Sequence, residues 1–274
     1  MMKRITSLTS VVVAIIVFLA TFSLYSIIYA AIYGVRTTVA LMRYYWDGEI
    51  VLCPPEELVE DVQWAVEKWN QAIQYFSIRY MLPDAMKTKI RVSSEEDHGC
   101  NVFFEYYDSP EDCPLIGKSG VLINLDLDDI VVAYVNFTSP PIFTIDKDVT
   151  TPVKAAKIHL WRGLNALERR AMIVHEIAIL LGIGPPIYSR QPKYRSASDL
   201  WGSLHVTSAD IYALSVKNRY AEKGSGIIEL TTPWIIPYTI VEEDQLHTLT
   251  ALFTSIMAAI TTYITSSRRW KVAG

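Results

Sequence analysis

The stretch "VHEIAILLGIGPP", residues 174–186, decides how this sequence folds and what chemistry it supports. It opens on a His-Glu pair and runs through apolar residues to Gly182 and beyond. Upstream, Asn165 is a favoured helix N-cap, and Glu168 at the third helical position completes a capping box. Gly182 suits the left-handed conformation that ends many helices. The pattern predicts a helix between these caps, and because its residues after Arg170 are almost all apolar, the helix is expected to be buried.

The spacing within this helix bears on metal chemistry. Two histidines four residues apart on a helix can hold one zinc ion, and the glutamate beside the first can act as general base on the metal-bound water. Here His175 and Glu176 are present, but Ile179 occupies the second histidine position and Pro185 the position of a third donor beyond Gly182. Neither replacement has a side-chain donor atom for zinc. Because a catalytic zinc ion normally has three protein ligands, His175 alone does not make a catalytic site.

A folded domain surrounds this helix in the sequence. Period-two patterns predict strands at residues 49–53, 89–92, 101–107, 120–125, 130–137 and 155–161. Period-3.6 patterns predict further helices at residues 56–76 and 206–221. The last helix is capped by Thr207 or Ser208, and loops are expected at 138–152 and in the polar stretch after Gly182. This order of elements predicts an α+β fold, or α/β sandwich, over residues 44–225.

Two uncharged apolar runs lie outside this domain. Residues 5–35 carry no charge and exceed the roughly 20 residues that a membrane-spanning helix needs. A cleaved signal peptide is the alternative, but its apolar part is usually only about 7–15 residues long. We therefore expect an N-terminal transmembrane anchor over residues 1–36. The second run, residues 245–267, predicts a C-terminal transmembrane helix, with an amphipathic helix on the membrane or the domain as the alternative.

The charges flanking the two runs predict an orientation in the cell membrane. Basic residues lie at the outer end of each run, at Lys3, Arg4, Arg268, Arg269 and Lys271. Such residues stay on the cytoplasmic side of a membrane. Both termini, including the basic tail 268–274, are therefore expected in the cytoplasm. Residues 44–225 and the linker 226–244 are expected outside it.

Three cysteines lie in the expected outer region, where a disulfide can persist: Cys53, Cys100 and Cys113. Cys100 and Cys113 are close in sequence and flank a predicted strand, so they are the predicted pair. Cys53 would then be the free thiol.

The charge of the chain bears on its partners. The formal net charge is −4, and no basic cluster lies in the middle region. A nucleic-acid partner is therefore not expected, because binding to phosphates requires a concentration of basic residues. The apolar runs instead point to the lipid bilayer as a partner.

The motif "HEIAILLGIGP" resembles the H-E-x-x-H-x-x-G-x-x-H signature of the metzincin clan of zinc endopeptidases, and within it the matrixins. The helix "VQWAVEKWNQAI", the segment "GCNVFFEY" and the helix "TSADIYAL" are similar to that family's early helix, central strand and closing helix. The resemblance covers residues 49–221. It implies a metzincin-like mixed sheet with three helices, flanked here by transmembrane helices at both ends.

The resemblance also assigns roles residue by residue. His175 matches the first zinc ligand, Glu176 the general base and Gly182 the turn glycine, while Ile179 and Pro185 stand at degenerate ligand positions. The family's methionine turn is also missing, because the sequence has no methionine between Met172 and Met257.

The expected function follows from these departures. We expect a membrane-anchored, catalytically inactive pseudo-protease, without a cofactor, that binds a peptide or a partner protein. One alternative is an active zinc endopeptidase with unorthodox ligands, drawn from His159, Tyr188, Tyr194, Asp199 and His205. Another is a structural membrane protein of the cell envelope.

Overall fold

The computed structural model describes residues 2–33, 38–42, 45–46, 48–93, 99–109, 125–127, 130–137, 152–186, 204–220, 227–231, 233 and 236–272 of the 274-residue chain. The chain divides into two compact units. The first consists of Met1–Val35 with Pro233–Gly274, and the second is Arg36–Thr232.

The described residues form both α-helices and β-strands. The α-helices are α1 (Met2–Tyr33), α2 (Val59–Arg79), α3 (Ala166–Leu180), α4 (Ser208–Tyr220) and α5 (Val241–Val272). The strands are β1 (Thr38–Met42), β2 (Tyr45–Trp46), β3 (Ile50–Cys53), β4 (Ile90–Val92), β5 (Val102–Tyr107), β6 (Leu125–Leu127), β7 (Ile130–Phe137), β8 (Pro152–Val153), β9 (Ala156–Trp161), β10 (Ile183–Pro186) and β11 (Ile227–Thr231). Short 3₁₀ helices occupy Glu56–Leu58 and Pro83–Lys87.

The first unit is a pair of long helices, α1 and α5. Each contains a segment long and apolar enough to cross a membrane, Leu8–Tyr33 and Val241–Ser267. The end of α1 contacts the start of α5: the Tyr29 hydroxyl donates to Thr239 Oγ1 at 3.0 Å, and its ring lies 4.1 Å from that of His247. Since the two helices also pack along their lengths, they run antiparallel. The first and last residues of the pair therefore lie at the same end.

The second unit is built on a six-stranded mixed sheet with the strand order β4-β3-β5-β9-β7-β6. The first four strands are parallel, and β7 and β6 are antiparallel to their neighbours. Parallel neighbours need a crossover connection, and α2 supplies the one between β3 and β4. The predicted α+β class is confirmed. β6 begins at Leu125, so most of the strand predicted at 120–125 and nearly all of the predicted loop 138–152 lie outside the described residues.

The core of this unit lies between α2, α3 and the sheet. Apolar residues recur along α2 at three- and four-residue steps, which places Trp69 and Phe76 on one fully buried face. Ile158 and Leu160 on β9 are also fully buried. The indole nitrogen of Trp69 donates to the carbonyl oxygen of Val174 at 3.0 Å. The early helix is thereby fixed to the middle of the motif helix.

A second, three-stranded sheet of order β10-β1-β11 was not predicted. With β1 at Thr38–Met42 and β11 at Ile227–Thr231, the folded unit extends beyond residues 44–225 and includes part of the predicted linker. The loop expected directly after Gly182 is instead strand β10, antiparallel to β1 with Leu41 opposite Ile183. Pro185 and Pro186 are the reason that a loop was predicted here instead of a strand. Proline lacks a backbone donor but is tolerated at a sheet edge, which is where β10 lies.

The disulfide differs from the predicted pair. Cys100 is bonded to Cys53, with 5.9 Å between their Cα atoms, and not to Cys113. The reason is the sheet order, because β3 and β5 are adjacent and Leu52 lies opposite Val102. Proximity in sequence favoured Cys113, which lies outside the described residues, but proximity across the sheet selects Cys53.

Candidate functional site

Helix α3 begins and ends at the residues that the sequence indicated. The Asn165 side-chain oxygen accepts hydrogen bonds from the backbone nitrogens of Leu167 and Glu168, both at 3.0 Å. The Glu168 carboxylate accepts one from the Asn165 backbone at 2.9 Å, so the predicted capping box is confirmed. At the other end Gly182 has φ 74°, the predicted left-handed conformation. Its backbone nitrogen donates to the Ile179 carbonyl at 2.8 Å.

An ion-pair cluster fixes the first turn of α3 to the first turn of α2. Asp61 is only 4% exposed, and its two carboxylate oxygens accept from Arg169 and Arg170 at 2.7 Å each. Arg170 also reaches Glu60 at 2.7 Å. Sequence analysis missed this cluster. A signal was present, since Asp61 occupies the apolar stripe that continues through Trp69.

The middle of α3 carries the motif residues. His175 is 6% exposed, Glu176 is completely buried and Ile179 is 4% exposed. Ile179 lies one turn after His175 on the same helix face, as predicted. The indole nitrogen of Trp46 donates to the carbonyl of Leu180 at 2.7 Å. Thus α3 is held along its length, and its motif side chains occupy the interior of the unit.

Glu176 is an acidic residue in a fully buried position of this helix. Within the described part of the chain, neither of its carboxyl oxygens has a hydrogen-bond partner. Burial raises the pKa of Glu176 well above its usual value, because the charged form would lose its hydration with nothing in exchange. Burial therefore favours the protonated carboxylic acid of Glu176 over its carboxylate. A general base must be ionised before it can take a proton, and burial opposes the ionisation of Glu176.

A stability measurement on Glu176→Gln tests this protonation state. In the unfolded chain the glutamate ionises near its usual pKa, while in the folded chain it keeps its proton. Above that usual pKa the unfolded state therefore binds fewer protons, and stability falls as pH rises, by at most about 1.4 kcal/mol per pH unit, until the folded-state pKa is reached. Glu176→Gln removes this loss, so we expect the variant to be more stable than the parent at pH 7 and similar to it near pH 4.

The matched control is Glu57→Gln, because Glu57 is exposed. Urea unfolding of the full chain in detergent at several pH values gives both comparisons. A Glu176→Gln variant that is destabilised at pH 7 would show that Glu176 is ionised and paired.

The structure places the other candidate ligands as follows. His159 lies on β9, where alternation directs it away from Ile158 and Leu160. Its Nδ1 is 3.5 Å from an oxygen of Glu105, which also contacts Lys157. Burial lowers the pKa of His159 although Glu105 acts in the opposite direction.

The remaining candidates add no metal site that can be assigned. His205 is half-buried just before α4, while Tyr188, Tyr194 and Asp199 lie outside the described residues. In the parts of the chain that the structure describes, no three His, Cys, Asp or Glu side chains are grouped so as to hold a metal ion. Pro185 lies in β10.

Helix α4 closes the unit. Thr207 is its cap, since its hydroxyl accepts from the Asp210 backbone nitrogen at 3.3 Å and the Asp210 carboxylate accepts from the Thr207 backbone nitrogen at 2.8 Å. Lys217 is 6% exposed, and burial lowers its pKa to about 7. Sequence analysis missed this group, because a lysine in the last turn of a helix is typical of a solvated face. Asn218 donates to the carbonyl of Asp84 at 2.9 Å and ties α4 to the 3₁₀ helix Pro83–Lys87.

Comparisons with protein-family models, with curated proteins and with solved structures find no match to this chain.

Proposed function

We propose that this chain is a membrane-anchored, metzincin-like protein that binds a peptide or a partner protein without cleaving it. The observation that carries the proposal is Glu176. The residue at the position of the family's general base is fully buried, and burial raises its pKa, which favours the form that cannot accept a proton. Ile179 and Pro185 add to this argument, since neither offers an atom to zinc.

The residues present do not fit the zinc ion that the resemblance implies. The charge of a zinc ion lowers the pKa of the water bound to it, and a neighbouring carboxylate then takes the proton. His175 is the one conventional ligand of the motif, Ile179 is an apolar residue with 4% exposure, and burial raises the pKa of Glu176. No hydrolytic step through a metal is therefore derived for this chain.

We propose a binding role for this domain. The order of elements supports the proposal, since β3, α2, the strands of the larger sheet, α3 and α4 follow one another along the chain. An extended peptide satisfies its backbone groups by adding to an edge strand. Among the described residues, β4 and β6 form the edges of the larger sheet.

Titration of the full chain with labelled unfolded casein, followed by fluorescence anisotropy, tests this binding role. Absence of saturable binding would favour the structural alternative.

Metal analysis separates this proposal from an active peptidase. After mild dialysis, the purified full chain should hold well under one zinc ion per molecule, and any casein cleavage should be insensitive to chelators. Glu176→Gln is the matched variant, because it replaces the family's base with an isosteric amide. Stoichiometric zinc, with chelator-sensitive cleavage that Glu176→Gln abolishes, would overturn the pseudo-protease proposal.

We further propose that α1 and α5 cross the cell membrane with both termini in the cytoplasm and the second unit outside. Three observations support this orientation. The two helices are antiparallel, so their free ends share one side, and the basic residues at those ends favour the cytoplasm. The Cys53–Cys100 disulfide suits an oxidising compartment.

Protease treatment of intact cells tests this orientation. It should digest residues 44–225 while epitopes fused to either terminus stay protected until the cells are permeabilised. Protection of the middle region in intact cells, with loss of the terminal epitopes, would reverse the assignment.

A further inference from the structure

Three apolar side chains project from the second unit where α2 ends. Met81 is 86% exposed, Ile78 68% and Met86 52%. They lie within nine residues of one another, on the last turn of α2, the following turn and the 3₁₀ helix Pro83–Lys87. We call these three side chains the Met81 patch. Scattered apolar residues on a surface need no explanation, but three exposed apolar side chains within nine residues indicate a contact with an apolar phase or a partner.

The backbone holds the Met81 patch outward. Met81 has φ 54°, a left-handed conformation that is uncommon for residues other than glycine. The turn is closed by a hydrogen bond of 2.8 Å from the Leu82 nitrogen to the Ser77 carbonyl. Leu82 and Ala85 face the core, with 9% and 0% exposure. The same turn that buries Leu82 therefore presents Met81 to the surroundings, at the cost of an unfavourable φ.

The residues around the Met81 patch are basic, although the chain as a whole has a net charge of −4. Between residues 70 and 92 the sequence has four basic residues, Arg79, Lys87, Lys89 and Arg91, and one acidic residue, Asp84. The Asp84 carboxylate contacts Lys87 at 2.8 Å and Arg219 at 2.9 Å, and these hydrogen bonds lower its pKa. Arg91 also contacts Glu49 at 2.9 Å, so this group holds two acidic residues, Asp84 and Glu49, and five basic ones, Arg79, Lys87, Lys89, Arg91 and Arg219, and its formal charge is positive.

We propose that the Met81 patch inserts into the interfacial layer of an anionic lipid membrane, with Lys87 and Lys89 contacting lipid headgroups. Exposed apolar side chains flanked by lysines are the combination that binds such an interface, since the apolar groups enter the acyl boundary while the ammonium groups remain among the headgroups. The proposal rests on the membrane attachment proposed above. The folded unit continues directly into the α1 and α5 segments at both of its ends, which keeps lipid at a high effective concentration.

Fluorescence quenching of the full chain in nanodiscs tests this contact. Cys113→Ser leaves Cys53 and Cys100 bonded to each other, so a single introduced cysteine can be labelled with an environment-sensitive fluorophore. The test site is Met81→Cys. The matched control is Leu167→Cys, an exposed leucine at the start of α3, and Leu19→Cys in α1 reports on membrane insertion itself. The quencher is a nitroxide on the lipid, in phosphatidylcholine with about one third phosphatidylglycerol, an anionic surface that attracts lysines.

We expect quenching at position 81 to be about threefold greater than at position 167, and to fall when phosphatidylglycerol is omitted, because the lysines then lose their counter-charge. Equal quenching at positions 81 and 167, with strong quenching at position 19, would overturn this inference and leave the membrane anchor intact. Weak quenching at position 19 would remove the anchor and this inference together. Shielding of position 81 from a water-soluble quencher without lipid quenching would assign the patch to a protein partner, which also overturns it.

Discussion

Loss of the Cys53–Cys100 disulfide is expected to lower the free energy of unfolding by about 4 kcal/mol. The two cysteines are 47 residues apart in sequence, and a cross-link of that span removes a large part of the conformational freedom of the unfolded chain. The variant to measure is Cys53→Ser with Cys100→Ser, which leaves neither partner as a free thiol. Urea unfolding of the full chain in detergent gives the comparison with the parent.

Peptide mapping under non-reducing conditions is the direct check on this pairing. It should recover Cys53 and Cys100 in one linked fragment. The Cys113→Ser variant should keep that fragment and unfold close to the parent. A fragment that links Cys113 to either of the other cysteines would contradict the pairing, whatever the stability of the double variant.

Removal of the Asp61 carboxylate is expected to cost about 3 kcal/mol. Asp61→Ala leaves Arg169 and Arg170 without the oxygens they share, in a part of the protein where their side chains are only 25% and 27% exposed. A charge left without its partner in such a place is strongly destabilising. The measurement is again urea unfolding, with the tryptophan fluorescence of the second unit as the signal.

The control for this variant is Glu60→Ala. Glu60 contacts the same Arg170 at the same distance of 2.7 Å, but its side chain is 90% exposed. An exposed ion pair contributes about 0–1 kcal/mol, because water already solvates both groups. If Asp61→Ala costs no more than Glu60→Ala, the Asp61 cluster does not hold α2 to α3.

The features of α3 that could be predicted from the sequence are those set by neighbours along the chain. Asn165 and Glu168 are three residues apart, and Gly182 follows the last turn, so the helix carries its own start and stop signals. Thr207 caps α4 through Asp210, also three residues away. Such contacts depend on the local backbone alone, which is why spacing is enough to find them.

The features that could not be predicted depend on which strands lie side by side. The partner of Cys100 was chosen by the adjacency of β3 and β5, and the strand at Ile183–Pro186 exists because β1 pairs with it. Sequence spacing carries little information on either. The same distinction between local and tertiary features holds for the candidate site. The burial of Glu176 follows from its apolar neighbours, but its protonation depends on what the rest of the fold places around it.

The pairing of β1 with β11 has a mechanical consequence. Thr38, near the point where the unit begins, lies opposite Thr231, near the point where it ends. Tension applied to the chain before Thr38 and after Thr231 would separate β1 from β11 at that end first. The hydrogen bonds between the two strands would then break one at a time. Because these hydrogen bonds would break singly, we expect the ladder to open at a lower force than a sheet whose hydrogen bonds are all loaded at once. We therefore expect the six-stranded sheet and α3 to stay unstrained while the ladder opens.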